Sequence, residues 1–595
     1  MEDRKKVSPI WNVVKTEWGQ LGSRKKVFLG YVFLFIIAGF ISLMTPLVIG
    51  LIFNSIQENI VSEAELNRLL LLIFSLLGLT IGFWIFHGIG RILEGLTGFY
   101  VQRNYTNSKI RKVLELPVSW HKDHHSGDTI DKVNRGRGAI GNFSEYGIVQ
   151  IVYAIINVFG SVVILFFIDK VISVFALVFS ISILIVIMNI DKKLGRYYRE
   201  LNKYSNKLSS AIFDYLSNIM TVITLRLKKT VSQEIDEKFM AAYTVQKKAK
   251  ILNEFKWGFA SVAITFMTVL ALSYRSYIDY YAEGIILVGT LYMLYGYLRA
   301  VGQTFYEFAS MYGDIMKYDA RIQGAYPIDD AFEKIGSGAN RKISDNWREI
   351  ELKGLDFAYD MDVNGYNLKD VDFKFKKGQK IALVGESGSG KSTILCLIRG
   401  LYPPNKGDVY IDGVKSSNCI EGLKRRVTLI PQDPEIFNNT LKYNITMDLR
   451  TNKKELEKAI RMAQFGDVVK RLEKGLDTNV LEKGVSLSGG EKQRLALVRG
   501  LLAAKESDIV LLDEPTSSVD SMNEMKIHDN IFREFKKKTV ISSIHRLHLL
   551  DKFDYIYMFE RGKVIAEGSL GKIMGNAKFR RIWKKYGVGR NHGNN

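Results

Sequence analysis

The chain has 595 residues, too many for one domain, with 83 Lys and Arg against 62 Asp and Glu and a formal net charge of +21. No zinc-ligand spacing or basic strip interleaved with aromatics accompanies that charge, so nucleic acid is set aside as a partner; Lys and Arg crowded at the inner edge of a membrane, facing anionic lipid, account for it. Two cysteines, Cys396 and Cys419, exclude a disulfide framework.

Residues 1–26 read as a cytosolic N-terminal segment, because Met1–Lys6 lacks the short apolar core of a secretory signal. Within it, Ser8–Gly22 carries Trp11 and Trp18 and is expected to form an amphipathic helix on the inner membrane surface. From 27 to 324 the pattern is an all-α membrane domain. Crossing a hydrocarbon core of about 30 Å takes roughly 20 apolar helical residues. Val27–Phe53, Leu66–Phe86, Ile148–Ile168, Val171–Ile190 and Trp257–Tyr274 meet or approach that length, and a sixth span starts near Ile285 and runs through Arg299 to Phe308.

The loops orient these six spans. Asn54–Asn67 carries three Glu and no Lys or Arg, so it faces outside, whereas Glu94–Gly147 and Asp191–Lys256 are rich in Lys and Arg and face the cytosol. Each cytosolic connection is too long to be structureless and reads as a helical hairpin, with tips at Ser119–Asp128 and Ala211–Asn218. The first tip holds His121, His124 and His125, either polar surface or a metal site. His87, Arg91, Arg275, Arg299, Gln303 and Glu307 are costly in lipid and must pair between helices or meet an amphiphilic substrate.

Ala325–Arg341, with Pro327, Gly336 and Gly338, opens a linker over 325–346, followed by an α/β domain over 347–585 and a flexible tail over 586–595. The apolar run Ile381–Val384 leads into Gly385-Glu386-Ser387-Gly388-Ser389-Gly390-Lys391-Ser392-Thr393, the G-x-x-x-x-G-K-[ST] pattern. A glycine-rich loop between a buried strand and a helix start lets backbone N–H groups close on phosphate oxygens. Lys391 then reaches the β/γ-phosphates and the Ser392 hydroxyl is placed for Mg²⁺. A nucleoside triphosphate with Mg²⁺ is therefore expected. Ser488, Gly489 and Gly490 open another helix 97 residues after Lys391, and Ile509–Leu512 runs into Asp513 and Glu514.

The phosphate loop, Leu487-Ser488-Gly489-Gly490-Glu491-Lys492-Gln493 and the apolar run ending in Asp513-Glu514-Pro515, in that order, resemble the ATP-binding cassette (ABC) family. With the membrane half, nearly the whole chain resembles an exporter-type half-transporter with fused domains. The resemblance implies that Tyr359 stacks on adenine, that Gln432 reaches Mg²⁺ and the attacking water, and that Asp513 holds the metal. It further implies Glu514 as general base, Ser517–Asp520 as the D-loop, and His545 as the switch histidine on the γ-phosphate. Ser488, Gly489, Gly490 and Asp520 would serve ATP bound to a second cassette, so a dimer is implied. The intact hydrolytic residues favour a homodimer, although an intact subunit of a heterodimer would carry the same ones. Thr478–Gly484 resembles the loop before the signature, with Leu481 where Gly is usual. Hairpin tips and N-terminal helix resemble the coupling and elbow helices. The implied protein is a multi-pass cell-membrane ATPase, its N-terminus and ATPase domain cytosolic, exporting an amphiphilic lipid, peptide or drug-like substrate. An importer on the same scaffold and a nucleotide-gated channel are the alternatives.

Overall fold

The computed structural model describes residues 8–58, 60–335, 346–359, 365–415, 423, 426–447, 449–480 and 487–586. Cys419, Leu481 and most of the expected C-terminal tail lie outside them. The chain forms two units, one helical and one α/β.

The helical unit begins with α1 (Pro9–Gln20), the expected interfacial helix. Its Trp11 and Trp18 are exposed while Val13 and Glu17 are buried. Asn12 fastens it, donating to Asp319 at 2.6 Å and accepting from the Tyr326 hydroxyl at 2.7 Å. The spans fall on α2 (Lys25–Gln57), α3 (Glu63–Glu115), α6 (Ile148–Ile168), α7 (Lys170–Ser217), α10 (Tyr243–Glu283) and α11 (Val288–Gln323). Among the described residues, five stretches, on the first five of these helices, are apolar and long enough to cross a membrane. The sixth helix, α11, is 36 residues long but is not among them. Leu43, Ile156, Leu165, Ala176, Met267 and Tyr297 share one buried cluster, and the Tyr297 hydroxyl donates to the Leu43 carbonyl at 2.8 Å.

Between α3 and α6 lie α4 (Val118–Asp123), at the expected first tip, and α5 (Ser126–Asn142). In α4, His124 stacks on Trp120 at 4.1 Å and bonds its carbonyl at 2.9 Å. The second tip lies further along than the sequence implied. Ala211–Ser217 still belongs to α7, and the chain reverses through α8 (Ile219–Thr224) into α9 (Lys228–Met240). No breaker interrupts 211–217, so the helix propagates until Asn218. The expected linker also starts as helix: α12 (Tyr326–Lys334) packs Ala325 and Ile328 with Leu116 and Val133. Its Asp329 accepts from Lys109 and Lys112 at 2.6 and 2.8 Å, and these bonds hold its carboxyl below the ordinary range against the opposing effect of burial.

The polar residues of the membrane helices answer one another. Arg275 reaches Asp169 and Asp279 at 3.0 and 2.9 Å, Lys256 meets Asp191 at 2.9 Å, and His87 bonds the Tyr153 hydroxyl at 2.7 Å. Arg91 pairs with Glu94, and Gln303 donates to Glu307 at 3.1 Å.

The α/β unit holds two main sheets. The antiparallel one, in order β2-β1-β4-β5, comprises β1 (Glu349–Phe357), β2 (Leu368–Lys376), β4 (Lys406–Ile411) and β5 (Val414–Lys415). The other, in order β12-β11-β3-β10-β9-β6, comprises β3 (Lys380–Val384), β6 (Val427–Ile430), β9 (Ile509–Asp513), β10 (Thr539–Ser543), β11 (Tyr555–Glu560) and β12 (Lys563–Gly568). A short pair, β7 (Asn439–Thr440) and β8 (Asn479–Val480), stands apart. Strands β6, β9, β10, β3 and β11 are mutually parallel, and the burial of β3 and of β9 through Leu512 explains their apolar runs Ile381–Val384 and Ile509–Leu512. Parallel strands send all their carboxyl ends to one edge, where α/β folds collect ligands.

Candidate functional site

At that edge β3 delivers the phosphate loop. Gly385 has φ 154°, and a Cβ there would sit 2.3 Å from the Phe559 carbonyl oxygen, so no side chain fits where the loop leaves the sheet. The loop ends in the helix Lys391–Ile398. Lys391 folds back across it, donating to the carbonyls of Gly385 and Glu386 at 2.8 and 2.9 Å. Burial lowers its pKa, while the charges of Glu514 and Asp513 oppose that shift.

The neighbouring strand ends supply the acids. Asp513 closes β9, and its Oδ1 accepts from the Ser392 hydroxyl at 2.9 Å and the Ser543 hydroxyl at 2.8 Å. Glu514 follows with φ 46°, a conformation L-residues other than Asn and Asp rarely adopt. Its carboxylate Oε2 accepts from Gln432 Nε2 at 2.7 Å, and Oε1 meets His545 Nε2. Because Ser543 also accepts from the Glu514 N–H at 2.8 Å, it joins Ser392, Gln432, Asp513, Glu514 and His545, spread over 154 positions of sequence, into one hydrogen-bonded group.

Sequence reasoning missed two residues of this group. Ser543 is one; its signal is a Ser pair, Ser542-Ser543, in a strand buried along its whole length. Gln493, at the end of the signature pattern, is the other. Its Nε2 donates to the Ser517 hydroxyl at 2.7 Å and its Oε1 accepts from the Ser518 N–H at 2.9 Å, so it fastens the signature helix Gly489–Ala503 to the D-loop.

The signature residues themselves stand apart from the phosphate loop. The Ser488 hydroxyl caps its own helix, accepting from the Glu491 N–H at 3.4 Å, and Glu491 returns a bond to the Ser488 N–H at 2.9 Å. Among the described residues no hydrogen bond links Ser488, Gly489 or Gly490 to residues 385–393. Gly490 has a packing reason of its own, since a Cβ there would lie 2.5 Å from the Ser518 carbonyl oxygen. Asp520 likewise caps the helix Ser521–Glu534, accepting from the Asn523 N–H and side-chain amide at 3.0 and 2.7 Å, and these bonds lower its pKa.

Tyr359, two residues past β1, presents a half-exposed ring edge-on to Phe357 at 4.9 Å and Tyr402 at 5.1 Å, next to Thr393 and Cys396 of the phosphate-loop helix. A flat aromatic face beside a phosphate loop is suited to a base.

Comparison with known proteins gives two family matches. Residues 28–300 match the ABC transporter transmembrane region and residues 368–517 the ABC transporter ATP-binding domain. The chain is 30% identical over 392 residues to the mitochondrial iron–sulfur clusters transporter ABCB7 of Rattus norvegicus, covering 64% of this chain and 51% of that protein. It therefore spans about half the length of that relative. It is 24% identical over 507 residues to the ATP-dependent lipid A-core flippase of Escherichia coli (strain K12), covering 83% of this chain and 85% of that one. The fold is also that of a solved bacterial Atm1-family ABC exporter with ATP bound, at 22% identity and a TM-score of 0.81, over 95% of this chain and 99% of the other.

Proposed function

Since the chain belongs to the ABC transporter family, with an exporter-fold transmembrane domain fused to one ATPase domain, we propose that it hydrolyses ATP to export an amphiphilic substrate by alternating access. The observation that carries the reading is the position of Glu514, held at its backbone by Ser543 and at its carboxylate by Gln432 and His545, beside Asp513 and Ser392.

In this reading the loop N–H groups and Lys391 bind the β/γ-phosphates, and Tyr359 stacks on adenine. Glu514 takes a proton from the water that attacks the γ-phosphorus as the bond to the β-bridging oxygen breaks, and His545 holds Glu514 and the γ-phosphate in register. The Ser392 hydroxyl, the Asp513 carboxylate and the Gln432 amide are hard oxygen donors gathered at one edge, a set that fits Mg²⁺. When bound there, Mg²⁺ neutralises charge on the phosphate oxygens.

Ser488, Gly489 and Gly490 would close on ATP held by a second cassette, which makes the working unit a dimer, a homodimer in the simplest case. Support for an amphiphilic substrate comes from the helical unit. Ile155 and Phe159 of α6, Leu184 of α7, and Thr304, Phe308 and Met311 of α11 line an apolar cavity of about 230 Å³, and Thr304 and Phe308 directly follow Gln303 and Glu307 in the chain. Six crossings would put the N-terminus and the ATPase domain in the cytosol.

The test uses the full chain in lipid vesicles. Glu514→Gln should retain ATP binding while steady-state hydrolysis falls about a thousandfold; undiminished hydrolysis refutes the assigned base. ATP-dependent efflux supports export. Uptake would indicate an importer, and flux down a gradient without stoichiometric hydrolysis a channel.

A further inference from the structure

We propose that Ser543 is a positioning residue for hydrolysis, its single hydroxyl fixing the backbone of Glu514 and the carboxylate of Asp513 together. This rests on the ATPase reading above and deepens it.

Glu514 sits at φ 46°. A non-glycine residue there is strained, and such a conformation persists only where its surroundings over-determine it. The Glu514 N–H donates to Ser543 Oγ at 2.8 Å. The same oxygen donates its own proton to Asp513 Oδ1 at 2.8 Å. One O–H and one lone pair are therefore both used, in opposite directions.

Strand geometry makes this contact inevitable. Ser543 and Asp513 are register partners on the adjacent parallel strands β10 and β9, so the hydroxyl reaches the acid without any loop in between. Ser543 is 1% exposed, in a strand whose five residues, Thr539 to Ser543, are all buried. A buried hydroxyl in such a place is costly unless bonded, and here it is satisfied only by the two reacting-site acids. Two residues further on, His545 engages the Glu514 carboxylate. One strand end thus grips the general base at both backbone and side chain. Ser542 bonds only the Ser543 carbonyl, at 3.4 Å, and touches neither acid.

Without the Ser543 hydroxyl, the Glu514 N–H and Asp513 Oδ1 each lose a partner. The peptide at the strained φ is then free to turn, carrying the Glu514 carboxylate off line. Nucleotide contacts from the loop N–H groups, Lys391 and Tyr359 do not pass through Ser543, and Asp513 Oδ1 keeps its bond from Ser392, so binding should survive.

The test compares full-length Ser543→Ala, Ser543→Thr and Ser542→Ala in lipid nanodiscs. Ser543→Ala should lower kcat about tenfold, the rate equivalent of one hydrogen bond, with KM for ATP changed less than about twofold. Ser543→Thr, which keeps the hydroxyl, should recover to within about threefold of the parent, and Ser542→Ala should match the parent. Hydrogen exchange at the Glu514 amide should quicken in Ser543→Ala alone. An unchanged kcat in Ser543→Ala overturns the proposal, as does a loss that appears equally in KM or that Ser543→Thr fails to rescue. Glu514→Gln run alongside separates the two levels. Full hydrolysis by that variant would bring down the ATPase assignment, whereas its loss beside an unaffected Ser543→Ala removes only the role of Ser543.

Discussion

The two halves of this chain use their polar side chains in opposite ways. In the α/β unit, Ser392, Gln432, Asp513, Glu514 and His545 converge at the carboxyl ends of parallel strands, beside the glycine-rich loop. In the helical unit, Arg275 answers Asp169 and Asp279, and Lys256 answers Asp191. Charges among apolar helices must be compensated, so they pair with each other, and their identity speaks of stability more than of substrate. Chemistry is legible in the first half for the reason it is muted in the second.

That contrast can be broken at either end. Two effects of about 3 kcal/mol head the series here, the first of them at Lys391. Lys391→Ala should weaken ATP binding about a hundredfold, since a charge-assisted contact to phosphate is lost, and a fluorescent-nucleotide titration reads it directly. The membrane-half counterpart is Lys256→Met, which leaves Asp191 buried without its cation. We expect a stability loss of about 3 kcal/mol in chemical unfolding of the lipid-embedded protein, with most of it recovered when Asp191→Leu is added.

A smaller effect concerns pH. His528 is wholly buried between Phe532 and Phe553 with neither ring nitrogen bonded, and burial lowers its pKa from 6.5 to about 4. As pH falls below the unfolded value, the unfolded chain takes up the proton first. Stability is therefore full above about pH 6.5 and declines below it, by about 2 kcal/mol at pH 5. Thermal unfolding followed across that range should flatten in His528→Leu. Smallest is Tyr359→Ala, which should weaken ATP binding about tenfold through lost stacking, while Tyr359→Phe binds as the parent does.

How much was readable beforehand divides along the same line. Glycines, a lysine and acids at fixed spacing betray the phosphate site because backbone geometry admits few other residues at those positions. Tyr359, Gln432 and His545 needed the family resemblance, since a lone Tyr, Gln or His has no local signature. The second hairpin tip was misplaced because helix propensity over Ala211–Ser217 gives no stop signal, and α12 was read as linker because Pro327 fits the first turn of a helix as well as a break. Gln493 was read only as the end of the signature pattern, without a role, and Ser543 went unnoticed because a polar residue in a buried strand looks the same whether it fills space or holds another group.

The sequence alone determined a run of long hydrophobic helices followed by a phosphate-loop α/β domain, because hydropathy and loop chemistry are local properties. Which atoms meet was decided only in three dimensions. The parallel register sets Ser543 against Asp513, and the strained turn at Glu514 points its carboxylate at Gln432 and His545. Those contacts join residues far apart in the chain, so no window of sequence contains them.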